Sequence, residues 1–146
     1  MIEMRELGHS GIQTSALGLG CWAIGGGNWG DNDDDVSVAT IRRAVELGVN
    51  WIDTAPAYNF GHSEEVLGKA IKGLPRDKLI ISTKCGLQWY DQGGEYHFTR
   101  DGKDVYRDLS PRAIRRDLEE SLKRLGTDYV DILYTHWQCM TYGKVP

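Results

Sequence analysis

Residues 51–71, "WIDTAPAYNFGHSEEVLGKAI", decide the fold. An apolar start closes on a lone carboxylate, Asp53, and a tyrosine, Tyr58, follows five residues later. Beyond Ser63, a residue type that caps helices, Val66, Leu67, Ala70 and Ile71 share one helical face. The stretch reads as strand, short loop, helix. Units of that kind repeated along a chain imply a parallel sheet covered by helices.

The neighbouring segments repeat the unit. "KLIIST", residues 78–83, is a continuous apolar run ending in hydroxyls, the pattern of a strand buried on both faces. "SPRAIRRDLEESLKRLG", 110–126, begins with a capping Ser110 and Pro111 at the first helical position. It carries Ile114, Leu118, Leu122 and Leu125 along one stripe and stops at Gly126. "DYVDILYTHW", 128–137, supplies a further strand. Upstream, Ala16 to Gly20 reads as the first strand, and "DNDDD" opens a helix with Val38, Ile41, Ala44 and Val45 on one face before Gly48. Residues 1–15 form a hairpin preface turned at "GHSG". The expected organisation is therefore a hairpin at 1–15 and, over 16–146, four strands and three helices. Residues 86–109, polar and aromatic with turn signals, read as a long loop. Periodicity does not choose between a doubly wound sheet and a closed barrel.

Composition bounds the partners. With 146 residues, 40% of them hydrophobic, one sizeable core is expected. A net charge of -4 and scattered Lys and Arg give no basic field for nucleic acid. No run of about 18 apolar residues is present, and "MIEMRELGHSG" lacks the apolar segment of a signal peptide, so no membrane partner and a cytoplasmic location are expected. Cys21, Cys85 and Cys139 have no paired spacing, so they are expected to be reduced thiols without a disulfide framework or a zinc site.

In parallel α/β architectures chemistry gathers at the carboxyl ends of strands. There the sequence places Asp53 with Tyr58 just beyond, then Lys84, then His136. Tyrosine is a poor acid at neutral pH unless a neighbour stabilises the phenolate. A lysine ammonium does that, a carboxylate holds the lysine charged and oriented, and a histidine hydrogen-bonds a carbonyl oxygen. The set suits protonation of a carbonyl oxygen as hydride arrives at its carbon. No side chain supplies a hydride, so a nicotinamide cofactor is implied. Singly, each residue has an ordinary structural use: an Asp–Lys pair, a loop tyrosine, a core histidine. Four at consecutive strand ends are harder to explain that way.

"LGLGCWAIGG", "IDTAPAYNFGHSEEVLGKAI", "ISTKCGL" and "SPRAIRRDLEESLKRLGTDYVDILYTHW" resemble, in order, segments of the aldo-keto reductases, NADP(H)-dependent oxidoreductases on a (β/α)8 TIM barrel. The resemblance implies Tyr58 as general acid, Lys84 as the residue that makes it usable, Asp53 as the partner of Lys84, and His136 as the group that orients the carbonyl. It implies Trp22 against the nicotinamide and substrate, with Gly20 and Asp53 beside NADP(H); Trp22, Trp89 and Trp137 themselves suggest an aromatic pocket for a carbonyl or alcohol substrate, simple loop packing being the alternative, and no metal is expected. A barrel of this kind needs about 250 residues, so the expectation is its N-terminal half with strands one to four. Such a half has unpaired strand edges, and self-association is expected. A cofactor-binding, non-catalytic subunit or an inactive truncated fragment is the alternative reading.

Rival motifs fail on context. "GLGCWA", 18–23, fits a dinucleotide fingerprint but leads into "IGGGNWG" instead of a helix. "GHSEEVLGKA" has the wrong glycine spacing for a P-loop, and "DNDDDV" puts Val36 where a calcium loop needs glycine.

Overall fold

A computed structural model describes residues 2–138. Its centre is a parallel sheet ordered β3(Gly18–Gly20)–β4(Trp51–Asp53)–β5(Ile80–Cys85)–β9(Ile132–Thr135). An antiparallel hairpin, β1(Met4–Glu6) and β2(Gln13–Ser15), precedes it. Asn50 accepts a hydrogen bond from Ser15 N at 2.6 Å and donates to the Gln13 carbonyl at 3.0 Å, tying this hairpin to the start of β4. The hairpin therefore sits at the end of the sheet opposite Asp53.

Three helices cover the sheet. α1 (Asp34–Glu46) starts where Asp33 accepts from the amides of Asp35 and Val36. α2 (His62–Ile71) buries Val66, Leu67, Ala70 and Ile71, the face expected from its spacing. α2 does not begin at a Ser63 cap. Gly61, with φ 95°, turns the chain so that the helix opens at His62. The Ser63 hydroxyl instead donates to the Cys21 carbonyl at 2.8 Å and lies 3.0 Å from Thr54 Oγ1, fastening the helix start to the ends of β3 and β4.

α3 (Pro111–Leu125) is capped by Ser110 and closed by Gly126 as expected, but its buried face is rotated. Ala113, Asp117, Ser121 and Leu125 are buried, whereas Ile114, Leu118 and Leu122 are half-buried. The reason is close packing. A Cβ on Gly68 of α2 would lie 2.6 Å from the Arg124 carbonyl oxygen, so the two helices approach through small residues and the leucine stripe turns aside. The core consists of Cys21, Ile41, Ile52, Val66, Leu67, Ala70, Leu79, Ile81 and Leu125 between sheet and helices.

The segment expected as a loop at 86–109 is largely a second sheet, ordered β6(Leu87–Gln88)–β8(Lys103–Arg107)–β7(Glu95–Arg100) and antiparallel throughout. It begins directly after β5 and stands beside the carboxyl end of the parallel sheet, where Leu87, Phe98, Thr99 and Arg100 line one cavity with Tyr58 and His136. Among the described residues no helix is long and apolar enough to cross a membrane.

Candidate active site

Strand register builds the site. Gly20, Asp53 and Ser82 are aligned across three parallel strands, and Lys84 stands two residues further along β5 on the same face as Ser82. Ser82 Oγ donates to Asp53 Oδ1 at 2.7 Å. Lys84 Nζ donates to Asp53 Oδ2 at 2.8 Å, to the Thr54 carbonyl at 2.8 Å and to Tyr58 Oη at 3.0 Å. An ammonium has three N–H groups, and all three are used. Its position is thereby over-determined, with one donor committed to the phenol oxygen. The hydroxyl hydrogen of Tyr58 is left for another acceptor.

Tyr58 is held by a tense loop. Asn59 and Phe60 have φ of 55° and 52°, and Gly61 follows at 95°, three left-handed residues in a row. Asn59 Nδ2 donates to the Gly25 carbonyl at 2.9 Å and secures that conformation against the loop after β3. Non-glycine residues in this region cost of order 1 kcal/mol each and gather at functional sites.

His136 follows β9, and its amide donates to the Cys85 carbonyl at 2.9 Å, extending the ladder to the residue that bears the imidazole. Its ring stands edge-on to Tyr58 with centroids 5.7 Å apart. Burial, with the Lys84 cation second, pushes its pKa down to about 4, so the imidazole is neutral at pH 7. Nδ1 is buried without a partner among the described residues.

Tyr58 and His136 share a cavity of about 630 Å³ with Trp22, Phe98, Arg100 and Trp137, a volume within the ordinary range for small-molecule sites. Trp22 is stacked toward Tyr58 at 6.2 Å, and Trp137 leans on His97 at 5.3 Å. Trp89, expected in the pocket, is elsewhere: it packs edge-on to Phe60 at 5.1 Å and stacks on Tyr90 at 5.0 Å. The reason is β6, which carries Leu87 into the cavity and turns the chain away before residue 89. Gly20 lies at the end of β3 with no atom within 4 Å of where a Cβ would stand.

Sequence reasoning missed Ser82, the Thr54 carbonyl and the cavity wall from Phe98 to Arg100. Only pairing register identifies the first two. The third had a signal in Asp101–Gly102, a dipeptide that favours a tight hairpin turn. Cys21 and Cys85 are free and buried, and burial lifts their thiols to about 12 and about 11, so they are inert as nucleophiles. Cys139 lies outside the described residues.

Residues 16–142 match the family model described as the Aldo/keto reductase family. The chain belongs to that family. It is 48% identical over 134 residues to the NADH-specific methylglyoxal reductase of Escherichia coli, covering 90% of this chain and 41% of that protein. It is 43% identical over 137 residues to an aldo-keto reductase of Bacillus subtilis, covering 93% and 38%. Among solved structures, the glycerol dehydrogenase of Gluconobacter oxydans superposes with a TM-score of 0.75 at 39% identity, covering 96% of this chain and 40% of that one. This aldo/keto reductase chain thus spans about two-fifths of the length of the relatives it matches. Its parallel strands and covering helices are a partial (β/α)8 barrel, which settles the architecture that periodicity left open.

Proposed function

We propose that this chain carries the proton-donating site of a nicotinamide-dependent oxidoreductase that reduces aldehydes or ketones to alcohols. The observation that supports it is the full commitment of the Lys84 ammonium, with one donor on Tyr58 Oη and another on Asp53. In this reading the Tyr58 O–H points at the substrate carbonyl oxygen and gives up its proton as the alcohol forms. Lys84 stabilises the phenolate left behind, and Asp53, braced by Ser82, keeps Lys84 in place. Neutral His136 hydrogen-bonds the same carbonyl oxygen and fixes its direction. Trp22, Phe98 and Trp137 supply the apolar lining around the reacting centre.

The cavity suits a flat aromatic ring against Trp22, and the open space beside Gly20 lets a bulky group approach the strand end. Gly20, Trp22 and Asp53 are the residues of this chain that would border the cofactor. When bound, a nicotinamide cofactor supplies the hydride that complements the proton from Tyr58. NADP(H) is the cofactor expected from the family, and the name of the Escherichia coli relative makes NADH its competitor. A cytoplasmic setting goes with this reading, since it supplies reduced cofactor and keeps thiols such as Cys21 and Cys85 reduced.

The test is consumption of NADPH and of NADH by the full-length protein with methylglyoxal, followed by absorbance, alongside fluorescence titration of each cofactor. Carbonyl-dependent oxidation of either supports the proposal. Tight cofactor binding with no turnover of any aldehyde overturns it in favour of a cofactor-binding subunit. Half-buried Ile132 and Leu133, exposed Tyr134 and the half-buried leucine stripe of α3 support self-association of the 146-residue chain, which size-exclusion chromatography reads directly.

A further inference from the structure

We propose that Arg100 selects the substrate, favouring carbonyl compounds that also carry a carboxylate or phosphate group; this rests on the reductase reading above. Among the described residues lining the cavity, Arg100 alone carries a full charge at neutral pH, since the neighbouring His136 is neutral there. Lys84, behind Tyr58, is already answered by the Asp53 carboxylate at 2.8 Å, so it does not compete with Arg100 for an anion.

Backbone geometry fixes where Arg100 stands. It is the last residue of β7 and pairs with Lys103 across a two-residue turn, Asp101–Gly102, whose φ values of 51° and 71° are both positive. That is the tight mirror-image turn that aligns hairpin strands. The hairpin tip is seated on Phe60, two residues beyond Tyr58: Lys103 Nζ lies 4.6 Å from the ring centroid and Arg100 Cζ lies 6.0 Å from it. On the other side, a Cβ at residue 27 would come within 1.9 Å of Arg100 Nη2, so Gly27 is what lets the guanidinium lie against the loop after β3. Three loops thus converge on this one side chain.

The guanidinium held there has a single weak ion-pair partner among the described residues. Its ion-pair partner, Asp101 Oδ2, is 3.5 Å from Nε, and the Asp101 side chain is 69% exposed, where water screens the pair. Among the described residues neither terminal nitrogen donates a hydrogen bond, although only 22% of the side chain is exposed. A planar fork with unspent donors in a substrate-sized cavity matches a carboxylate or phosphate bidentately. A purely structural arginine stacked on Phe60 would show no preference between anionic and neutral ligands.

The experiment compares succinic semialdehyde with its uncharged counterpart butanal in the full-length protein and in its Arg100→Gln and Arg100→Lys variants. The ratio of kcat/KM for the carboxylated over the neutral aldehyde should fall roughly tenfold to a hundredfold in Arg100→Gln, the range of a charge-assisted hydrogen bond. Arg100→Lys, which keeps the charge and loses the fork, should recover part of it. Equal losses on both aldehydes overturn the proposal. So does a weakened NADPH affinity with an unchanged ratio, which would place Arg100 on the cofactor's phosphates. Succinate titrated against tryptophan fluorescence reads the anion site without turnover. If neither aldehyde is reduced yet Arg100→Gln abolishes succinate binding, the anion site stands and the reductase reading falls. If succinate binds equally well to both proteins, the anion site falls whatever the turnover.

Discussion

Lys84 Nζ lies 3.0 Å from Tyr58 Oη while its other two donors are spent on Asp53 and the Thr54 carbonyl. The ammonium cannot swing away without breaking two further hydrogen bonds, so the phenol has a permanent cation beside it. Tyr58→Phe removes only the oxygen and keeps the ring that faces Trp22 and His136. Carbonyl reduction in the full-length protein should fall about 100- to 10,000-fold, the usual contribution of a positioned acid. Fluorescence titration should show cofactor affinity within a few-fold of wild type. Turnover close to wild type in this variant would remove Tyr58 from the mechanism.

His136 sets a pH limit on stability. Burial and Lys84 hold its folded pKa at about 4, against an ordinary value of 6.5, so between these limits the unfolded chain binds the proton more readily. Its contribution is complete above the unfolded value and is lost as pH falls through the folded one. His136→Gln cannot titrate, so its stability relative to wild type should rise as the solution is acidified across that window. Urea midpoints of both proteins at neutral and at mildly acidic pH make the comparison, and parallel profiles would mean that the imidazole is solvated.

Asp117 acts in the opposite sense. Burial raises its carboxyl from 3.8 to about 6, with the Gly86 N–H and the Arg116 cation opposing the rise. Asp117 Oδ2 accepts that N–H at 2.9 Å, and Oδ1 is buried without a hydrogen-bond partner. A group raised on folding stabilises below its unfolded pKa, and that contribution disappears as pH rises through about 6. Asp117→Asn keeps an acceptor for Gly86 and removes the buried charge. Relative to wild type it should gain stability as pH rises from about 4 to above 6, measured by urea unfolding; a flat difference across that range would show that Asp117 stays solvated.

How far the fold was legible depended on the range of each signal. Caps and stops were local: Asp33 and Asp34 at the start of α1, and Ser110, Pro111 and Gly126 around α3, stand where residue type alone puts them. The clustering of Asp53, Tyr58, Lys84 and His136 was legible because all four lie at or just beyond strand ends, and parallel register brings those ends together. The β7–β8 hairpin was not read because a bulge between Tyr96 and Phe98 breaks the alternation, although Asp101–Gly102 is the dipeptide that favours its turn. Ser63 was misread as a cap because sequence spacing does not show that Gly61 already turns the chain or that the Cys21 carbonyl awaits a donor. Ser82 was invisible for the same reason: its role is defined by an adjacent strand.

Glu64 is fully buried in α2, yet it accepts from Arg124 Nε at 2.6 Å and from Thr83 Oγ1 at 2.6 Å. Arg124 also donates to Tyr90 Oη at 3.0 Å, so a single guanidinium joins α3, α2 and the segment leading from β6 to β7. Desolvating such a pair is costly, and its net value against an apolar replacement is small. Removing one partner is different, because the other charge stays buried. Arg124→Met should therefore cost about 3–5 kcal/mol by urea unfolding, whereas the double variant Arg124→Met/Glu64→Leu should recover most of that loss. If the double variant is as unstable as the single, the arginine side chain is holding the helices by packing against Gly61 instead of by answering the Glu64 charge.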